Sequence, residues 1–413
     1  MNRHIPFKTA DILIPKTCDM SKWSVVACDQ YTSEPEYWNA VTEFVGDAPS
    51  TLKITLPEIY LEEPDVDNRV CAINKTMADY LSEEFFSEVK DSFILLKRNL
   101  ADGNTRLGII GVVDLEKYDY LPQSTAEIRA TEGTVLERIP PRVRIRKDAP
   151  LELPHIMLLI DDPNKTVIEP LAEKSAALEK VYDFTLMQNS GSVEGFRVCG
   201  DDAAALTDAL AVIADNFEKA NNGASLLFAV GDGNHSLATA KTCFENLKSS
   251  VPEEVWKNHP ARYALVEVVN LHDSSLDFEP IHRVLFDVDS DFISALKANF
   301  SGAVGGKKIE YNTQEECGEI DTGIGSTGLV VDAVQKFVDK YISEHGCRVD
   351  YVHGDEVTRS LGRSSGNASI LLPKLDKSEL FPSIAANGVF PRKTFSMGHA
   401  CDKRFYLECR KIK

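Results

Sequence analysis

The sequence has no excess of basic charge, no Cys-x-x-Cys pair and no long apolar run, and each absence removes a class of protein. With 45 Lys and Arg against 64 Asp and Glu, the formal charge is −19. Duplex nucleic acid binding rests on a basic surface, so a DNA partner is not expected. No stretch approaches the length of a membrane span, and residues 1–6 carry no apolar leader core; the expectation is a soluble, cytoplasmic protein with no membrane partner. The nine cysteines, at 18, 28, 71, 199, 243, 317, 347, 401 and 409, are scattered, which suits reduced thiols better than a disulfide framework. His399, Cys401 and Cys409 invite a zinc reading, but their spacing is unusual and a fourth donor is not evident, so they read as small buried residues and a loop histidine. No internal repeat or low-complexity tract stands out.

Also absent are the Gly-x-x-x-x-Gly-Lys-Ser/Thr loop, His-Glu-x-x-His and Gly-x-Ser-x-Gly, which removes the common nucleotidase, metalloprotease and serine hydrolase templates. At 413 residues the chain is too long for one ordinary core. Its apolar periodicities alternate between strand and helix, and an α+β (mixed α/β) fold is expected, divided at 1–195, 196–310 and 311–413. Strands are expected at 107–113, 156–160, 263–269 and 276–286. A helix is expected on the stripe Leu206, Leu210, Ile213 and Phe217, ended by 221–223. Towards the C-terminus a helix is expected over 330–341, a strand at 349–352, a helix at 355–362, a strand at 368–372 and a helix at 376–386. Arg142-Val143-Arg144-Ile145-Arg146 alternates basic and apolar residues, so as a strand its arginines share one face. That patch reads either as an anion site or as a solvated edge strand.

Two glycine patterns compete for a ligand. Gly323-Ile324-Gly325-Ser326-Thr327-Gly328 spells the dinucleotide fingerprint, with Asp350 near the ribose-binding spacing, but the polar residues 315–322 do not read as the apolar strand that should deliver it. A linker with Ser326 or Thr327 capping the next helix accounts for it. The second pattern is Gly231-Asp232-Gly233-Asn234-His235-Ser236. It follows the apolar run 226–230 and precedes the helical stripe Leu237, Ala240, Phe244 and Leu247, so it lies where free N–H groups and the dipole favour an anion. Simple capping needs one Asp or Asn; two glycines with an adjacent His and Ser exceed that need. We therefore read Gly231, Gly233, Asn234 and Ser236 as a phosphate cradle, with His235 and Asp232 able to move protons or, for Asp232, to bind Mg2+.

Three other segments carry charge. Glu279-Pro280-Ile281-His282-Arg283 reads as a strand that points His282 and Arg283 to opposite faces. Thr131-Glu132-Gly133-Thr134 places a carboxylate in a polar loop. Pro391-Arg392-Lys393-Thr394 offers two cations and a hydroxyl, an anion clamp or a solvated turn.

Taken in order, these four segments resemble the motifs of a bacterial family catalogued as domain of unknown function 1015. In that family a His-Glu-x-Thr-like segment precedes an Asp-Gly-His-His-Arg-like turn, a Pro-Thr-His-Arg-like segment and a Pro-x-Lys-(Ser/Thr)-like stretch. The central turn is also similar to that of the ParB and sulfiredoxin-like fold, which includes free-serine kinases. The resemblance implies a ParB-like strand-turn-helix core within 196–310, and a phosphotransferase or phosphatase acting on a nucleotide or phosphorylated metabolite. ATP or ADP is the implied co-substrate, and serine or phosphoserine a candidate substrate. It implies Glu132 as general base or acid, the turn as phosphate cradle, and His282, Arg283, Arg392, Lys393 and Thr394 as further phosphate contacts. The family's first turn histidine and its arginine are Asn234 and Ser236 here, so Arg283, Arg392 or one of Arg142, Arg144 and Arg146 would supply the clamp. Sulfiredoxin chemistry is disfavoured, because its cysteine would fall at Asn234. The competing class is a non-catalytic sensor of a nucleotide or phosphometabolite.

Overall fold

A computed structural model describes residues 3–153 and 155–413 of the chain. Met1 and Asn2, at the start of the stretch read for a leader, and Pro154 lie outside the described residues. The fold is mixed α/β, as the alternating periodicities imply. Two compact units divide the chain: one holds Met1–Ala130, Thr134–Leu276 and His399–Lys413, the other Thr131–Gly133 and Asp277–Gly398. The units interleave in sequence, whereas the expectation drew three consecutive stretches.

The first unit is built on an 11-stranded mixed sheet. Its main path runs Tyr118–Asp119, Ile128–Ala130, Phe228–Asp232, Met157–Ile160, Tyr263–Asn270, Thr105–Asp114, Phe86–Asn99, Ser192–Val198 and Lys180–Thr185, with Phe7–Lys8 and Ala10–Pro15 added at the side. Both faces are covered. Phe93, Leu95, Ile109 and Val113 join one apolar cluster while Ile94, Leu96, Ile110 and Val112 join the other, as a period of two dictates. Such a sheet needs apolar runs without alternation, which is why its inner strands read as continuous hydrophobic stretches. Helices Gly200–Ala220 and Asn234–Ser250 close one face with Leu206, Leu210, Leu237 and Phe244, and helices Pro35–Val45 and Val66–Ser82 close the other with Trp38, Val41, Ile73 and Met77.

The second unit has a six-stranded sheet ordered Cys317–Asp321, Lys308–Thr313, Asn367–Leu371, Phe278–Phe286 and Arg348–His353, with Phe395–Met397 pairing along the start of Phe278–Phe286. Helices Phe292–Asn299 and Thr327–His345 share a core with it through Phe292, Leu296, Val330, Val334 and Val338. Thr131–Gly133 joins this unit by running beside Phe390: Phe390 N–H donates to Thr131 O at 2.7 Å and Gly133 N–H to Phe390 O at 3.3 Å.

Two local expectations are corrected. Residues 142–146 are not a strand but part of the helix Ile139–Arg146. Pro140 and Pro141 sit in its first turn, where the missing N–H and fixed φ are tolerated. The three arginines therefore do not share a face; Arg142 and Arg146 do, one turn apart, and Arg144 points elsewhere. A strand, Cys317–Asp321, does precede the fingerprint-like glycines. It is antiparallel to Lys308–Thr313 at the sheet edge and largely solvated, so it is a hairpin arm and not the parallel strand of a dinucleotide fold. Ser326 occupies the cap position of Thr327–His345, but its side chain caps nothing. Among the described residues no helix is long and apolar enough to cross a membrane.

Candidate functional site

The turn at 231–236 is tighter than its sequence suggests. The strand runs through Asp232, Gly233 is the cap residue, and the helix begins at Asn234, so His235 and Ser236 already belong to its first turn. Gly233 has φ of 78°, and a Cβ there would sit 2.9 Å from Ile156 Cα. Only glycine meets both conditions. Neither Asp232 nor Asn234 caps the helix; Asp232 Oδ1 accepts from Gly233 N–H at 2.9 Å, and Oδ2 pairs with Lys403 Nζ at 3.3 Å. The first helical bond runs from Leu237 N–H to Gly233 O at 3.0 Å, so the amides of 234–236 precede the helical ladder. Asn234 Oδ1 is buried without a hydrogen-bond partner. Val135 N–H donates to His235 Nε2 at 3.3 Å, which makes that ring nitrogen an acceptor.

Behind the turn lies a group that motif spacing did not reveal. His155 is buried, and its Nε2 lies 3.3 Å from Ser236 Oγ and 3.4 Å from Asp29 Oδ2, while Nδ1 meets Tyr406 Oη at 2.8 Å. Tyr406 donates its proton to Cys28 Sγ at 2.9 Å, which leaves its oxygen open to accept from His155 Nδ1. Asp29 beside Nε2 favours the protonated ring. Burial opposes that charge, but Asp29, with Asp232 and Glu58, raises the His155 pKa. Burial likewise works against the Asp29 carboxylate, which His155 and Lys403 nonetheless hold below the usual carboxylate range. Ser236 and Asp29 both meet Nε2, so this is not a serine-hydrolase triad, in which the acid binds Nδ1. His155, Tyr406, Ser236 and Thr239 line a cavity of about 140 Å3, whose other walls include Leu56 and Met77. Asp29, His155 and Tyr406 carry no local pattern; only tertiary pairing brings them to Ser236 of the turn.

The second unit gathers the other three motifs. Glu132 is half-buried. Burial pushes its carboxyl up to about 7, against the backbone N–H groups of Thr394 and Lys393 and the charges of Lys393 and Arg283, which pull it down. Arg283 is fully buried; its Nη1 donates to Ile281 O at 2.6 Å and Lys393 O at 2.9 Å, its Nε to Gln335 at 3.1 Å, and it stacks 5.1 Å from the Tyr351 ring. Arg392 and Lys393 are exposed, while Thr394 is buried and donates to Pro391 O at 2.6 Å. His282 faces away from Arg283, as a strand requires; its Nε2 meets Asp355 at 3.0 Å and its Nδ1 accepts from Leu372 N–H at 3.1 Å. These bonds tie its strand to a helix start and a neighbouring strand.

The alternative clamps are engaged. Arg142 pairs with Glu58, Arg144 with Asp67 and Arg146 with Glu152 at 2.5 Å. Cys409 is buried, and the His399 ring caps the turn Ala400–Asp402. Among the described residues, the grouping of three metal-capable side chains is Asp289, Asp291 and His345, which does not include Asp232.

The fold and these groups define a mixed α/β protein with a glycine turn at a helix start and a buried histidine behind it. The chain belongs to the family described as protein of unknown function, DUF1015, whose model matches residues 5–376. This is the family that the four ordered motifs resemble. No curated protein matches the chain. Among solved structures, a free serine kinase in complex with AMP is similar at 10% identity, over 73% of this chain and 90% of that one, with a TM-score of 0.38. A conserved hypothetical protein from Pyrococcus furiosus is similar at 11% identity over 73% and 94% of the two chains, with a TM-score of 0.35. SbnI from Staphylococcus aureus, truncated at its C-terminus, is similar at 9% identity over 72% and 85%, with a TM-score of 0.35.

Proposed function

We propose that the protein binds the phosphoryl group of a nucleotide or phosphorylated metabolite at the 231–236 turn and catalyses its transfer or hydrolysis. The observation that carries this reading is Gly233 in a left-handed conformation at the start of the helix Asn234–Ser250, with the buried His155 ring 3.3 Å from Ser236 Oγ. First-turn amides and a nearby fixed cation are what a phosphoryl oxygen requires. They also replace the missing arginine of the motif, since Ser236 hands its contact to His155. Gly231 and Asn234 complete the cradle in this reading. Asn234 Oδ1, buried and unpartnered, would accept from a hydroxyl or ammonium of the same ligand.

Mg2+ commonly keeps waters and takes one or two carboxylates together with substrate phosphates. Asp232 supplies one such carboxylate, with Lys403 as its present counter-ion, so the metal would enter with the phosphate and neutralise its charge. ATP or ADP remains the candidate co-substrate, and serine or phosphoserine the candidate metabolite, as the resemblance implies. Glu132 keeps the role of general base in this proposal, because a carboxyl near 7 can take and return a proton at neutral pH. His235 keeps its role in moving protons, and His282, Arg283, Arg392, Lys393 and Thr394 stand as the proposed phosphate contacts of the second unit.

The test is phosphate release or transfer from ATP, ADP and phosphoserine, with binding measured in parallel, for wild type and Glu132→Gln. Retained affinity with turnover reduced by two or more orders of magnitude is the expected outcome. Binding without turnover in both proteins would instead make the chain a sensor.

A further inference from the structure

Two arginines in the core of the first unit keep buried N–H groups without hydrogen-bond partners, although Arg98 lies 5.1 Å over the Phe405 ring and Arg106 is 4.0 Å from Glu267. Arg98 on the strand Phe86–Asn99 and Arg106 on Thr105–Asp114 are direct cross-strand neighbours, an arrangement that is repulsive for like charges. They are 2% and 4% exposed. Each reaches one carbonyl of the turn above, Arg98 Nη2 to Cys401 O at 3.0 Å and Arg106 Nη1 to Asp402 O at 2.8 Å. Beyond that, Arg98 Nε and Nη1 and Arg106 Nε are buried with no hydrogen-bond partner.

The surrounding charges do not complete the pair. Glu267 Oε1 lies 4.0 Å from Arg106 Nε, too far for a hydrogen bond, while its Oε2 is taken by Arg404 at 2.8 Å. Arg404 also holds Glu408. Asp402 turns its carboxylate to His399 N–H at 3.3 Å and the Cys401 thiol at 3.6 Å. Glu267 and Asp402 act on Arg98 through charge, but no carboxylate oxygen hydrogen-bonds the free N–H groups of Arg98 and Arg106. Burial, and then Arg106, bring the Arg98 pKa down to about 9, so the guanidinium still carries its charge at neutral pH.

We propose that Arg98 and Arg106 form an oxyanion site, taking a carboxylate or phosphate group between the free N–H groups of the two guanidiniums. The planar fork of arginine matches such a group, and one anion would give the three orphaned donors, Arg98 Nε and Nη1 and Arg106 Nε, their acceptor. The site is distinct from the 231–236 turn and does not depend on the function proposed for it. The two are linked in the chain, because Lys403, which pairs with Asp232, follows directly on the carbonyls of Cys401 and Asp402.

The experiment is calorimetric titration with acetate and with inorganic phosphate in a bulky sulfonate buffer, for wild type, Arg98→Met and Gly233→Val. Wild type is expected to bind acetate, Arg98→Met to bind it at least tenfold more weakly, and Gly233→Val to bind it as wild type does. Two phosphate sites, one weakened at least tenfold in Arg98→Met and the other in Gly233→Val, with no acetate binding, assign the site to phosphate and support the proposal equally. Identical titrations for wild type and Arg98→Met overturn it, as does wild type that binds neither anion. Phosphate binding lost in Gly233→Val but intact in Arg98→Met leaves the turn as the anion site and removes this one. If Arg98→Met does not fold, Arg98→Lys keeps the charge and loses the fork, and an unchanged affinity there overturns the proposal.

Discussion

Glu132 and His155 are two side chains at the candidate site whose surroundings raise their pKa values, by burial for the one and by a neighbouring carboxylate for the other. Burial raises Glu132 to about 7, above the roughly 4.3 of an unfolded glutamate. Between those values the folded chain holds a proton that the unfolded chain has lost, so stability falls as pH rises through that window and is flat above it. Glu132→Gln should be the more stable protein at pH 8 and equal to wild type at pH 4, measured by urea unfolding. Parallel pH profiles for the two proteins would show that the carboxyl is not held neutral. His155 has a raised pKa that Asp29 sustains against burial. Its contribution is complete below the unfolded value of roughly 6.5 and is lost as pH rises through the folded value. Asp29→Asn should remove that loss, and the His155 ring, followed by NMR, should then titrate at lower pH. An unshifted His155 titration in the variant would mean that Asp29 does not hold the charge.

At the scale of elements, the strand-turn-helix around Gly233 was legible because three signals coincided: an apolar run, a glycine pair and a helical stripe. Each answers to a local constraint, and Gly233 answers to two, a positive φ and a close approach to Ile156. Gly233→Val should therefore destabilise the protein by about 1–3 kcal/mol from backbone strain alone and weaken phosphate binding at the turn at least tenfold, read by denaturant unfolding and by titration. Retention of phosphate affinity would separate the ligand from this turn. The helix Ile139–Arg146 was misread for the converse reason. Alternation of arginine with Val143 and Ile145 imitates a strand, and what decides the matter is distant: Glu58, Asp67 and Glu152 each hold one arginine. The 14-residue strand Phe86–Asn99 was missed because residues 87–92 are mostly exposed and polar, so only its second half carries a hydrophobic signal. The residues behind the turn were invisible in the same way. Nothing local distinguishes Asp29, His155 or Tyr406, and their meaning lies in pairings across up to 378 positions.

At the scale of the molecule, the chain leaves its first unit at Ala130, contributes three residues to the second, and returns at Thr134. The excursion places Glu132 beside Phe390 by a parallel bridge and brings its carboxyl to the backbone of Lys393 and Thr394, so a candidate base from one end of the sequence is set by a loop near the other. Each unit has its own apolar core, and a cavity in one should be felt first by the amides packed on it. Leu285→Ala, in the core of the second unit, and Leu158→Ala, in the core of the first, each remove a fully buried side chain and should cost about 2–5 kcal/mol locally. Native-state hydrogen exchange is expected to lose protection in Val330–Val338 for the first variant and in Phe228–Val230 for the second. Because Glu132 is held by the second unit, Leu285→Ala should also broaden the pH dependence of any turnover, while Leu158→Ala, beneath the turn, should weaken phosphate affinity. Uniform loss of protection across both sets of amides in either variant would show that the chain opens as one cooperative body, and the separate assignment of base and cradle to two units would then fail at its premise.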